Sequence, residues 1–420
     1  MIDLRAPDRT SPGKSANPCD CFIVGGGPAG LAAAIALRQR GLDVVVVDAL
    51  TPPIDKACGE GLMPDSRREL AHLGIPLDRK PGFEFSGIRF ANPDREVVVT
   101  AAFASGKGIG IRRLDLHQLL IDHAQEVGVR LKWGHRVDFT SSPTAIVGDL
   151  SYCYRYLIGA DGEASRVRRW AGLDAGTLRS ERFGFRRHFR VRPWSSCVEV
   201  HWGRGCQAYV TPVGEDEICV AAITRQRGVH FDQVLEQIPW LHQRLKGKEA
   251  ADRDRGAVTT TRRLNRVTCR NIALIGDASG SADAITGEGL AMAFRQASLL
   301  AESLEKDTLA HYEAGHARIL QLPQRMAQLM MSMDRHDWFR DRVLRTLAQN
   351  PPIFAKMLAV HTGESTIASF LTSAGLPLVA GFLREGLQVR PNSASHNPVL
   401  DADFPPPSLR EIVRFERKTV

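Results

Sequence analysis

After a polar, proline-containing opening of 18 residues, the chain runs into "DCFIVGGGPAGLAAAIALRQRGLDVVVVD", Asp20 to Asp48. The unbroken apolar run Cys21 to Val24 predicts a strand covered on both faces, as in a parallel sheet. The glycines after it predict a tight turn, Pro28 to Arg40 a helix closed by Gly41, and Val44 to Val47 a second strand. This is a βαβ pattern. A helix is predicted over Leu114 to Val127, then short strands up to "YRYLIGADG", Tyr154 to Gly162. From about Phe183 the pattern turns to partly alternating segments, "FGFRRHFRVR", "CVEVHW", "QAYVTPV" and "EICVAAIT", separated by Gly, Pro and charged turns. These predict an antiparallel sheet. "NIALIGDASG" then returns to buried strand plus glycine turn, followed by a helix from about Gly289 to Leu304. The rest, to about Arg384, is predicted mostly helical, and the proline-rich end loosely ordered.

The class is therefore α/β, with a discontinuous nucleotide-binding domain over 19–80, 105–170 and 265–320. An antiparallel β-sheet domain, 81–104 and 171–264, is inserted into it; helices occupy 321–385, and 1–18 and 386–420 are tails. Composition supports two substantial cores: 420 residues, 43% hydrophobic and 24% charged. The net charge of +8 is spread along the chain without a nucleic-acid motif. That excludes nucleic acid as the expected partner and favours a solvated arginine-rich surface, with a phosphorylated cofactor, an acidic acyl carrier or an anionic membrane surface as the alternatives. The eight cysteines form no CxxC pair and no metal spacing, so no metal and a reducing, cytoplasmic compartment are expected. "STIASFLTSAGLPLVAGFL", Ser365 to Leu383, is uncharged, but Pro377, two glycines and many hydroxyls favour a packed helix pair or a peripheral membrane-surface contact over a span.

Gly25, Gly27 and Gly30 form the GxGxxG fingerprint, with Asp48 at the end of the second strand. Glycines let backbone amides approach a pyrophosphate at a helix N-terminus, and the acid accepts ribose hydroxyls. With strand before, helix after and acid in place, dinucleotide binding on a Rossmann-type unit is the expectation.

"LIGADGEASRVRR", Leu157 to Arg169, and "NIALIGDASGSADAITGEGLAMAF", Asn271 to Phe294, each end a strand with an acid–glycine pair. They resemble the DG and GD motifs of flavoprotein monooxygenases related to para-hydroxybenzoate hydroxylase, and "GIRRLDLHQLL" resembles their Arg-x-x-Leu helix start. The resemblance implies FAD, bound by Asp161, Gly276 and Asp277, with Arg113 touching the cofactor and the turn at Gly287 and Gly289 aimed at the isoalloxazine ring. "GDASG" and "DAITGEGL" depart from the hydroxylase forms. With "CGEGLMP" they are closer to the geranylgeranyl reductase branch.

That loop, "DKACGEGLMP" (Asp55 to Pro64), is too glycine-rich for packing alone. The resemblance runs it along FAD to the ring, which makes Cys58 a gate, a thiol reagent or a packing residue, and Glu60 a loop anchor or an acid. His188 and His201, on the inserted sheet expected to roof the cavity, are the acid–base candidates. Glu288 is read as a helix cap. There is one dinucleotide motif, so electrons are expected from transiently bound NAD(P)H or a partner reductase. The leading expectation is a monooxygenase hydroxylating a hydrophobic aromatic, polyketide- or lipid-like small molecule through a flavin hydroperoxide. A reductase of isoprenoid double bonds and a flavin electron carrier are the alternatives.

Overall fold

The computed structural model describes residues 16–77, 81–92, 97–140 and 143–388. Most of the two expected tails lies outside these. The strand Asn17–Val24 runs parallel between Val44–Asp48 and Leu150–Gly159, with Phe22 paired to Val45 on one side and Leu157 on the other. Helices cover the sheet, so the four valines Val44 to Val47 are all buried, which is why no polar residue interrupts them before Asp48. Ile272–Leu274 extends the sheet beyond Leu150–Gly159, and Arg130–Trp133 extends it beyond Val44–Asp48. The chain goes from the central strand to one side and returns on the other, which opens a crevice at the carboxyl ends of the strands. The helix Pro28–Gln39 starts hard against the turn: a Cβ on Gly30 would lie 1.9 Å from the Gly25 carbonyl oxygen.

A second sheet of seven strands has the order Arg255–Leu264, Gly176–Phe189, Glu217–Thr224, Cys206–Gly214, Cys197–Trp202, Gly87–Asn92 and Val97–Ala102. Its neighbours are antiparallel except Cys197–Trp202 with Gly87–Asn92, which run parallel because the two strands come from separate insertions. A small sheet of Gly61–Leu62, Gly108–Gly110 and Phe83–Phe85 joins the loop after Asp55 to the second sheet.

The helices Leu309–Arg335, Asp337–Gln349 and Pro351–His361 do not form a core of their own. Met330, Leu344 and Phe354 pack with Val198, Val200 and Trp202, so these helices complete the inner face of the second sheet. A buried polar knot ties them there. Arg182 on the sheet donates to Asp283 (3.1 Å) and to Gln207 (3.2 Å), and Gln207 donates to Asp334 at the end of the long helix (2.6 Å). Such a knot adds little net stability, but removing one partner leaves buried charge uncompensated.

The expected packed helix pair over 365–383 is not formed. Ile367–Phe370, Leu371–Gly375 and Leu376–Gln388 follow one another without a loop, and only 11% of the apolar stretch Ile367–Arg384 is buried. By length and composition that stretch is able to cross a membrane.

Candidate active site

One continuous cavity of about 830 Å³ begins at the crevice and runs between the second sheet and the C-terminal helices. Its two arms differ in chemistry. The crevice arm collects the ends of the parallel strands: Gly25, Gly27, Asp48, Asp161, Gly276 and Asp277, with Lys56, Arg113 and Arg136. The far arm is walled by Phe85, Phe90, Val198, Val200, Leu329, Val343, Leu347, Phe354 and Leu358, and by Met63, Met292, Met326, Met330, Met333 and Met357. Six of the chain's eight methionines stand there, and their unbranched side chains give a wall that adapts to what it binds.

The glycines divide by what their missing side chain would meet. A Cβ on Gly25, where φ is +113°, would sit 2.3 Å from the Ala160 carbonyl oxygen, and one on Gly26 would strike Trp133. Gly27, Gly59, Gly287 and Gly289 would instead point a Cβ into open space, and all four line the cavity. The first set lets strand, turn and helix close on one another; the second leaves a backbone cradle that only a ligand fills. Around it, Asp48 accepts from Gly26 N (2.7 Å) and Leu50 N (2.8 Å), which fixes its carboxylate at the strand end. His117 Nε2 bonds to the Gly26 carbonyl oxygen at 2.8 Å, and burial holds its imidazole below the usual range, hence neutral and donating. Asp277 faces the cavity, enclosed by its walls, and is paired with Lys56 at 2.9 Å. Burial opposes its charge, but the Lys56 ammonium, with Arg113, outweighs that and holds its carboxyl below the ordinary value. Asp161 is engaged locally: it accepts from the Ser165 hydroxyl and from the Arg166 and Val167 amides, so its carboxylate organises the short helix Arg166–Trp170 at the cavity rim.

The loop Asp55 to Gly61 crosses from the crevice to the second sheet, and Cys58, Gly59 and Glu60 all line the cavity. Glu60 sits at φ +59°, an uncommon conformation for a side-chain-bearing residue, and its carboxylate is fully buried. One oxygen accepts from Arg186 (3.0 Å) and from the Arg113 amide (3.0 Å); the other meets His188 Nε2 at 2.6 Å. His188 Nδ1 meets Asp252 at 2.7 Å, and Arg186 also grips Asp55 with both amino groups at 3.0 Å. His188 is therefore an anchor beneath the loop, sealed between two carboxylates. The same place gathers Glu60, His188 and Cys219 with ligand atoms within 4.8 Å, but Arg186 supplies the cation there. Cys58 accepts from the Glu60 amide (3.4 Å), and burial pushes its thiol up against the opposing charge of Arg113. It is a neutral thiol at neutral pH.

His201 stands elsewhere. Alternation along Cys197–Trp202 turns Val198 and Val200 to the cavity and Glu199 and His201 away from it. There His201 stacks on Trp240 (ring centroids 5.2 Å apart) and bonds Glu199 at 2.9 Å, so the structure withdraws it from the acid–base candidates. Burial works against the Glu199 charge, yet the bonds from His201 and Trp194 and the charge of Arg89 hold its carboxyl below the ordinary value. Sequence reasoning missed Lys56, Arg186, Asp252, His361 and the methionine wall. The last had a signal in the clustered methionines between Met326 and Met333; Asp252 had none, since its partner lies 64 positions away.

A glycine cradle at a parallel-sheet switch point, opening into an apolar chamber, is the arrangement of a dinucleotide-binding protein. Residues 18–322 match the FAD binding domain family, and the chain belongs to it. It is an FAD-dependent oxidoreductase, and the open glycine cradle with Asp48, Arg113 and Asp277 around it fits the cofactor. The chain is 28% identical over 323 residues to the menaquinone reductase of Mycobacterium tuberculosis (strain ATCC 25618 / H37Rv), covering 69% of this chain and 78% of that protein. It is 34% identical over 158 residues to the rifampicin monooxygenase of Rhodococcus hoagii, covering 36% of this chain and 33% of that one. Among solved structures, a flavoprotein/dehydrogenase from Cytophaga hutchinsonii shares the fold with a TM-score of 0.74 at 17% identity, over 88% of this chain and 99% of that one.

Proposed function

We propose that this chain is a flavin monooxygenase that hydroxylates a long, mostly apolar small molecule, with NAD(P)H as the electron donor. The observation that carries the reading is the far arm of the cavity: its walls are aliphatic, aromatic and methionine side chains, the Asp283 carboxylate near them is tied up by Arg182, and most of the charged lining residues, Asp48, Lys56, Arg113, Asp161 and Asp277 among them, gather at the crevice end. Bound FAD supplies the redox chemistry. The chain's own residues bind and orient it through the cradle, position the loop of Cys58 and Glu60 over the chamber, and keep water from the reacting end.

The surface beside that arm suits a substrate drawn from a membrane. Leu371, Leu376 and Leu383 are exposed on the stretch Ile367–Arg384, and Trp338 is exposed on the neighbouring helix that walls the cavity. Two exposed cations lie at it: Lys356, bonded to the Ser373 carbonyl at 3.1 Å, and Arg384 at its end. An exposed apolar surface with cations beside it matches an anionic bilayer.

A second reading, reduction of isoprenoid double bonds, is favoured by the "CGEGLMP" and "DAITGEGL" loops, and the length over which the chain resembles a reductase, that of menaquinone, supports reduction over oxygenation. Oxygen uptake separates the two. With a panel of long-chain phenols and isoprenoids plus NAD(P)H, the monooxygenase reading predicts substrate-dependent oxygen consumption matched to product. Full turnover without oxygen would overturn it in favour of the reductase.

A further inference from the structure

Residues of two irregular stretches line the cavity, the loop Asp55 to Gly61 and the turn Asp283 to Gly289. Both are fastened to the same three strands of the second sheet. In Cys206–Gly214, alternation turns Tyr209 and Thr211 to the cavity, two residues apart on one face. The Tyr209 hydroxyl donates to the Ile285 carbonyl oxygen of the turn at 2.6 Å, and the Thr211 hydroxyl donates to the Gly59 carbonyl oxygen of the loop at 2.8 Å. In Gly176–Phe189 two arginines four residues apart repeat the arrangement. Arg182 donates to Asp283, which also accepts from the Ile285 amide at 3.0 Å, while Arg186 holds Asp55 and Glu60 of the loop. On the strand between them, Glu217–Thr224, the Cys219 thiol donates to the Cys58 carbonyl oxygen at 3.6 Å. Arg186, Ala221 and Tyr209 lie side by side in register. Among these fastenings Gly184, Ala221 and Ile223 line the cavity, and a Cβ on Gly184 would meet nothing nearer than the Ala257 carbonyl oxygen at 3.7 Å.

We infer that this sheet face sets the spacing between the loop and the turn, and that Tyr209 and Thr211 are positioning residues for the cofactor held between them. Tyr209 governs the turn. Burial pushes its hydroxyl up, so it stays a donor to Ile285 across the working range of pH. The turn carries the open glycines Gly287 and Gly289 and leads into the helix Gly289–Glu305, whose first amides have no partner within the helix. A helix N-terminus favours negative charge, and a flavin gains negative charge on reduction, so a turn held in place favours the reduced cofactor. Thr211 governs the loop, which makes no such contribution. The inference rests on the cofactor and not on the proposed reaction, and it holds for oxygenation and reduction alike.

The test uses Tyr209→Phe and Thr211→Val, each of which removes one hydroxyl and keeps the shape of the side chain. The midpoint potential of bound FAD and its dissociation constant are measured for each, beside the circular dichroism of the protein. Tyr209→Phe should fold, bind FAD and lower the preference for reduced over oxidised FAD at least threefold, which is about 14 mV for two electrons. Thr211→Val should raise the FAD dissociation constant at least threefold and move the potential less. An unchanged potential in Tyr209→Phe would overturn the inference, as would an unchanged dissociation constant in Thr211→Val, because a purely structural role moves neither. Should either variant fail to fold, Gly184→Val reads the same claim, since it leaves every fastening in place and puts a side chain between loop and turn. A folded Gly184→Val with FAD weakened at least tenfold supports the inference; full affinity overturns it.

Discussion

At the scale of single residues, the two kinds of glycine separate cofactor binding from folding. Gly27→Val places its side chain in open space, so the protein should fold and lose FAD. Gly30→Val meets the Gly25 carbonyl oxygen and should fail to fold. The check is flavin absorbance per mole beside the far-ultraviolet circular dichroism of each variant. A yellow, fully loaded Gly27→Val would contradict the cradle. Asp277→Ala should weaken FAD at least tenfold, about 1.4 kcal/mol, by removing the acid at the end of Ile272–Leu274 and freeing Lys56. Cys58, its thiol pushed up by burial, should resist alkylation at neutral pH until the protein unfolds; rapid labelling of the native protein would show a thiolate. The fingerprint glycines and Asp48 were legible in the sequence because strand, turn, helix and acid lie within 30 residues of one another. His201 was misread for an equally physical reason. Which face of a strand meets a cavity depends on the register against Gly87–Asn92, which comes from a distant part of the chain.

Among the elements, the loop Asp55 to Gly61 depends most on contacts far away in sequence. Its glycines announced a close approach, but its anchor, Arg186 with His188 and Asp252, came from two other segments of the second sheet domain. Burial opposes the charge of Asp252, but the hydrogen bonds and charge of His188, with Arg186, hold its carboxyl below the ordinary 3.8. A depressed folded value means that the stabilisation is complete above 3.8 and is lost as pH falls through the lower folded value. Asp252→Asn should therefore lose about 1–3 kcal/mol at pH 7. The gap to wild type should close as pH drops below 3.8. Urea midpoints across that range check it, and a gap that stays constant into acid would remove Asp252 from the clamp.

For the whole molecule, the apolar chamber exists only because the C-terminal helices fold back onto the inserted sheet. The sequence foretold the helices and the sheet separately. That Met330, Leu344 and Phe354 would close onto Val198 and Val200 follows from their packing and from the Arg182 knot, and no local periodicity carries that information. The exposed stretch Ile367–Arg384 likewise follows from what remains uncovered once the core is filled. The protein should co-sediment with anionic vesicles and release them in high salt, and a Leu376→Asp, Leu383→Asp variant should stay in the supernatant with FAD still bound; equal binding by the variant would place the contact elsewhere. The central claim, that this chamber serves oxygenation, is tested most directly by the mass of the product formed under isotopically labelled oxygen from a long-chain phenol. The account predicts one labelled oxygen atom per product molecule. A product heavier by two hydrogens and free of label would contradict it.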